Sequence, residues 1–284
     1  MILGAYNMPD WIINKLSSQF EVKIINKDMR NYPLEVDLLL INMVDKNDEE
    51  LFAYQAILIN EMVRKVPTIF FDGYNILTHK EYEWLKGFKT LFLEPFILSR
   101  DGFKFQPFPL NMDDINLTLP ISTIIDYGYK GLIGDKIHQF EKYYKGFSKS
   151  FPSHICYDPC DNVMDVKVKE YNDHNIIKGP FEWSETNATV AIHKNSEYER
   201  GYIDPIYFNI LMDGCLVLLP EEHRFYTTMF KDYIIHNLRD MMFFTTHQLD
   251  LRYIMIEEIL NNILQYYPEF TVEYFVDKIK KFVR

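Results

Sequence analysis

Asp72 follows the apolar run Thr68–Phe71 and precedes Gly73. A carboxylate at the end of a buried strand faces the crevice of a parallel sheet, where it can take a proton from an acceptor hydroxyl. An Asp-Gly pair is equally an ordinary turn former. A second set of residues lies between 128 and 134, where Gly128, Gly131 and Gly134 separate an apolar run from a helical one. Such a loop lets backbone N–H groups approach a phosphate at a helix start, with Lys130 and Lys136 as partners for a diphosphate. The GxxxxGK[ST] pattern is absent, and a plain tight turn reads the same way. A third set is the polar stretch Lys194–Asp204. There Arg200 and Tyr202 face a ligand or solvent, and Asp204 suits the cap of a helix opening at Pro205. Asn209 follows one turn into that helix. His193, just before the stretch, is a ligand-orienting group or a satisfied core histidine. Glu221 and Glu222 end the next apolar run and can accept from sugar hydroxyls or form salt bridges. Cys156, Cys160 and His154 make at most half a metal site, because no second ligand pair has zinc spacing.

These residues need a scaffold, and the pattern supplies one. Apolar runs at 2–5, 21–26, 36–44, 67–71 and 90–93 predict strands. Amphipathic spacing predicts helices at 11–20, 51–65 and 80–86, the first capped by Asp10. Strand-helix alternation of this kind builds a doubly wound parallel sheet. Prolines 107, 109 and 120 with several Asn and Asp residues interrupt the rhythm over 100–122, where a domain junction is expected. A second series follows: strand 121–127, the glycine-rich loop, helix 135–149, strand 154–157, a helix or strand at 163–169, and strand 176–179. It continues with strand 188–192, helix 206–212, strand 215–219, helix 227–238, strand 241–245, and helices 247–267 and 272–283. In open parallel sheets ligands bind beyond the carboxyl ends of the strands, so a site is expected at the loops 193–205 and 220–226.

The bulk numbers agree with an α/β chain of two domains. The 284 residues are 48% hydrophobic and 16% aromatic, ample for two cores. A net charge of -11 argues against a general nucleic-acid binder, although a local basic cleft is compatible with it. Three cysteines make no disulfide framework and suggest a reduced, cytoplasmic setting. No signal-like start and no membrane-length apolar run is present.

The order of these features resembles the two-Rossmann glycosyltransferase fold called GT-B, and within it the phage DNA glucosyltransferases of the beta type, which modify hydroxymethylcytosine. The likeness is carried by IFFDG at 69–73, GYKGLIGDK at 128–136, GPF at 179–181, and the helix preceding GCLVLLPEE at 214–222. It implies two Rossmann-like domains facing a central cleft: 1–115 on the acceptor side and 116–284 for the nucleotide sugar, with the last helix free to pack back on the first domain. It implies a nucleotide-diphosphate sugar donor, UDP-sugar first, an inverting transfer with Asp72 as general base, and double-stranded DNA with a modified base as acceptor. Gly128, Lys130, Gly131 and Lys136 would hold the diphosphate, Gly179 and Phe181 the uracil, and Tyr6, Asn7 and Tyr74 would line the acceptor side. Mg or Mn can assist product release in such enzymes, but no metal motif is visible. The family's arginine and glutamate on the last donor helix correspond here to Ile206 and Asn209, with Glu199 or Arg200 as substitutes. Two rivals remain at this point: transfer to a glycan or protein, and a non-catalytic nucleotide- or nucleic-acid-binding module.

Overall fold

The computed structural model describes residues 1–26, 35–44, 48–73, 75–110, 125–131, 133–147, 155–158, 176–202, 204, 206–223, 225, 234–235, 239–241, 243 and 249–284. They divide into two compact units, Met1–Met112 with Pro268–Arg284, and Asp113–Tyr267.

The first unit is a six-stranded sheet of β1 (Ile2–Tyr6), β2 (Glu21–Ile25), β3 (Leu38–Asn42), β4 (Thr68–Phe71), β5 (Thr90–Glu94) and β6 (Phe103–Phe105). Its order is β2-β1-β3-β4-β5-β6, and every pair is parallel. Side chains alternate across the sheet, so β3 sends Leu39 and Ile41 to one core and Leu38 and Leu40 to the other. The first core lies under α2 (Glu49–Met62) and α3 (His79–Leu85), which supply Leu58, Met62 and Leu85. The second lies under α1 (Asp10–Ser17) and the chain's last helix, Val272–Val283, which supply Leu16, Phe275 and Ile279.

Helix starts follow local chemistry. Asp48 caps α2 through Leu51 N–H at 3.1 Å. Thr78 and Glu81 form a reciprocal box at α3. Asp10 does not cap α1: Pro9 holds that place and Asp10 is the first helical residue. The edge strand β6 lies inside the stretch expected to be a junction.

The second unit has β7 (Ile125–Lys130), β8 (Ile155–Asp158), β9 (Ile176–Lys178), β10 (Thr186–Val190), β11 (Leu216–Pro220) and β12 (Ile234–Ile235), in the order β12-β11-β10-β7-β8-β9, all parallel. Four expectations change here. The strand expected to end at Tyr127 runs on to Lys130, so Gly128 lies inside β7. The stretch expected as a loop contains a helix, α5 (Asn195–Arg200): Glu197 accepts from Lys194 N–H at 3.0 Å at its start, and left-handed Gly201 ends it. Ile234 and Ile235 form a strand where a helix was expected, while residues 241 and 243 are helical where a strand was expected. The helix expected from 135 is wound in three ways: a 3-10 turn at Gly134–Lys136, then α4 (Ile137–Phe140), then a π turn at Glu141–Lys145. Beyond α5 come α6 (Ile206–Met212) and α7 (Leu249–Tyr266), with Val272–Val283 as α8. His154, Cys160 and the segment 163–169 lie outside the described residues.

Candidate functional site

In the second unit all strands are parallel, so Lys130, the turn after β10 and the turn after β11 share one edge of the sheet. The π turn shapes this edge. Two consecutive tyrosines of this turn, Tyr143 and Tyr144, are buried. Tyr143 donates to Glu222 Oε2 at 2.7 Å. Tyr144 OH receives the Val190 N–H at 2.8 Å and lies 3.2 Å from the Gly128 carbonyl, tying β10 to β7. Lys142 Nζ sits 2.8 Å from Glu222 and 3.3 Å from Glu221. Burial alone would raise the Glu222 carboxyl, but the Lys142 and Tyr143 hydrogen bonds outweigh it and hold it below its ordinary value.

His193 is a buried polar group of this edge. Its backbone N–H donates to Tyr198 OH at 2.9 Å, and that hydroxyl donates to the Ala191 carbonyl at 3.0 Å. Tyr198, Tyr202, Tyr207 and His223 stand edge-on to its ring, with centroids 5.1 to 5.6 Å away. Nδ1 is 3.4 Å from Glu197 Oε2, while Nε2 is buried and has no hydrogen-bond partner among the described residues. Burial opposes ionisation of Glu197, yet its hydrogen bond to His193 and the Lys194 N–H lower its carboxyl overall. A carboxylate that takes Nδ1–H fixes the tautomer and leaves Nε2 as an acceptor. A buried polar atom without a partner marks a place where a ligand atom can complete the bonding. Cations gather nearby: Lys136 donates to Tyr129 OH at 3.1 Å, and Lys194 lies 3.4 Å from Asp135.

The other expected donor residues separate. Lys130 rests over the Phe181 and Trp183 rings, at 4.8 and 5.4 Å. Gly128 stands in the strand and not in the loop. It is buried inside β7, and a Cβ there would meet the Phe181 ring at 2.5 Å, so the glycine exists to admit that ring. Phe181 is correspondingly buried and offers no open face to a base. Gly131, at φ 117°, is the true start of the loop and donates to the Asp158 carbonyl at 2.8 Å. Gly179 N–H is bonded to the Tyr157 carbonyl at 3.1 Å. Arg200 ends α5, and Asn209 stands on the exposed side of α6. Tyr143 and His223 were not singled out, and Glu197 and Tyr198 stood only as part of the polar stretch 194–204. The pair Tyr143-Tyr144 inside a helical pattern and the Lys-Asn-Ser-Glu start of α5 were the available signals.

In the first unit Asp72 is enclosed. Its side chain is 0% exposed, and its carboxylate accepts from Ile76 N–H at 2.7 Å, Leu77 N–H at 3.0 Å and Arg100 Nη2 at 2.6 Å. That is the bonding of an anchor for residues 75–77. Tyr6 is likewise core: buried, bonded to the Leu51 carbonyl at 3.0 Å, and pushed up to about 12 by burial and by Tyr54 and Asp48. Asn7 stays on the surface at the end of β1, exchanging amide bonds with Asn42 at 3.2 and 2.9 Å. Tyr74 lies outside the described residues. Among the described residues no cluster of His, Cys, Asp or Glu could hold a metal, and no helix is long and apolar enough to cross a membrane.

No family model and no curated sequence matches the chain. Solved structures do. An alpha-glucosyltransferase in complex with UDP and a 13-mer DNA containing a central A:G mismatch aligns over 100% of this chain and 99% of its own, with TM-score 0.64 and 10% identity. The chain has the GT-B glycosyltransferase fold. An O-GlcNAc transferase mutant from Thermobaculum terrenum aligns over 100% of this chain and 68% of its own, with TM-score 0.54 and 8% identity. A glycosyltransferase from Rickettsia africae aligns over 99% and 97%, with TM-score 0.52 and 9% identity. At these identities the likeness is one of fold.

Proposed function

We propose that this protein is a glycosyltransferase that moves a sugar from a nucleotide-diphosphate sugar, UDP-sugar first, to a hydroxyl on a modified base of DNA. The observation that carries the reading is the end-to-end match, over 100% and 99% of the two chains, with an enzyme solved with both UDP and DNA. The first domain, residues 1–115, is the acceptor side in this reading, with Asn7 and Tyr74 near the acceptor. The second unit holds the donor.

The donor half has the groups the chemistry needs. Glycosyl transfer releases a nucleotide diphosphate, and positive charge fixed near its oxygens lowers the barrier. Lys136, Lys194 and Lys130 stand at or just beyond the carboxyl ends of β7 and β10, with Gly131 admitting a close backbone approach. His193 Nε2, held as an acceptor by Glu197, suits a ribose hydroxyl of the donor nucleotide. Glu221 and Glu222 are engaged by Lys142 and act by holding the π turn against β11. Asp72 acts as a positioning residue for Ile76 and Leu77. The anomeric outcome is left to experiment, because the inverting expectation rested on Asp72 as base and on the beta-type likeness, whereas the DNA enzyme matched in structure is an alpha-glucosyltransferase.

The test is transfer itself. UDP-glucose with a labelled sugar is incubated with duplex DNA carrying hydroxymethylcytosine, with unmodified DNA, and with a protein or glycan acceptor. Label in the modified DNA alone is the expected result, and the proton coupling of the anomeric carbon then reports the stereochemistry. Label in the glycan or protein arm, which the net charge of -11 would suit, replaces the acceptor and keeps the enzyme class.

A further inference from the structure

The first unit contains a groove apart from the strand ends where Asn7 stands. It is about 600 Å³ and lies between α8 and the edge of the sheet, against β6. Its place is fixed by both ends of α8. The turn before the helix is bonded to the chain after β6, Leu110 N–H to the Phe270 carbonyl at 2.8 Å, and the helix ends where Lys89 Nζ reaches the Val283 carbonyl at 3.2 Å, just before β5. The groove therefore flanks the edge strand and does not sit over the strand ends where Asn7 stands.

Three cations line it, Lys104 of β6 with Lys278 and Lys281 of α8, against one carboxylate, Asp277. Among the described residues none of the three lysines makes an ion pair. Lys278 is the most enclosed: its Nζ donates to the Phe105 carbonyl at 3.0 Å and lies 5.2 Å from the Tyr274 ring centroid. Burial and the charge of Lys104 push its amine down to about 8, with Glu269 opposing. Two cations close enough to disfavour each other, without an acid bonded to either, are relieved by an anion placed between them. Such a concentration of positive charge stands out in a chain of net charge -11.

The rest of the lining narrows the anion. Phe105, Tyr274 and Phe282 share the groove with the lysines, and Tyr274 is 41% exposed. Lysines beside open aromatic rings are the chemistry that holds single-stranded nucleic acid: the cations track phosphates and the rings stack on bases. The volume also falls in the range of pockets that take ligands of nucleotide size.

We propose that this groove binds a nucleic-acid strand, with a phosphate between Lys104 and the α8 lysines and a base against Tyr274. The inference rests on the groove alone and stands or falls separately from the donor site.

Fluorescence anisotropy of the full chain with a labelled single strand of about ten nucleotides tests it. Wild-type protein is expected to bind at low salt. Lys104→Gln with Lys281→Gln should weaken binding about tenfold and lower the salt slope by about one to two. Tyr274→Ala should weaken it about fivefold or more with the slope unchanged. Melting temperature and the circular dichroism spectrum serve as the controls for folding and should be the same in all variants. Wild-type protein that binds no strand, or lysine variants that bind like wild type, would overturn the proposal. An abasic strand that binds as tightly as the natural one reduces the groove to a general polyanion site and overturns the base contact. A mononucleotide that binds as tightly as the strand assigns the groove to a free nucleotide and overturns the strand reading.

Discussion

Arg100 holds two buried carboxylates at once: its Nη2 is 2.6 Å from Asp72 Oδ2 and its Nε is 2.8 Å from Glu94 Oε2. Arg100 Nη1 also donates to the Leu77 carbonyl at 3.0 Å. The ends of β4 and β5 and the chain at Leu77 are thus joined through one guanidinium. Removing the arginine leaves two carboxylates enclosed without their partner, the expensive way to break a buried pair.

Arg100→Met is therefore expected to lose about 3–5 kcal/mol of stability in urea unfolding. Asp72→Asn keeps one acceptor oxygen and should cost about 1–3 kcal/mol. A general base behaves in the opposite way. Its Asn variant would keep its stability and lose turnover by orders of magnitude, and that outcome would restore Asp72 to the chemistry.

Gly128→Ala tests packing against phosphate binding. The new Cβ overlaps the Phe181 ring, and overpacking of this kind costs about 1–3 kcal/mol. Phe181→Leu in the same chain should recover much of the loss. If the alanine variant keeps its melting temperature and loses only UDP affinity, the glycine serves the ligand and the packing account fails.

The second unit should lose stability in mild acid. Burial, helped by the neighbouring His193, pushes the His223 pKa well below its ordinary value. The unfolded chain then binds a proton below about pH 6.5 that the folded chain refuses. Stability is full above that pH and falls as the pH drops through it. Glu197 and Glu222, both lowered, add a second loss nearer pH 4 as they are forced to protonate. Melting temperatures recorded from pH 7.5 to 5.5 should fall in wild type and fall less in His223→Asn. Equal slopes would show that this histidine is not the group responsible.

Most of the scaffold was legible because apolar runs and helical spacing are local. β1, β4, α6 and α8 fall within about a residue of where the pattern puts them. What was not legible depended on partners far along the chain. Nothing near Asp72 reveals Arg100, 28 residues on, so a buried anchor reads like an exposed base. Gly128 reads as a loop residue because its reason, the ring of Phe181, lies on another segment. β6 has only three residues in a polar and proline-rich stretch, too few for a period to show. The His193 site was half visible: the histidine stood out at a strand end, but Glu197, Tyr198 and His223 acquire meaning only when α5 and the turn after β11 close around it.

The central claim is that the second unit binds a nucleotide diphosphate around His193. Isothermal titration of UDP into wild type and His193→Ala, with melting temperatures recorded for both, addresses it most directly. Saturable one-to-one binding by wild type, weakened about tenfold in a variant that remains folded, is the loss expected for one hydrogen bond of about 1.4 kcal/mol. Absence of saturable UDP binding by folded wild-type protein, or equal affinity in His193→Ala, would contradict the account.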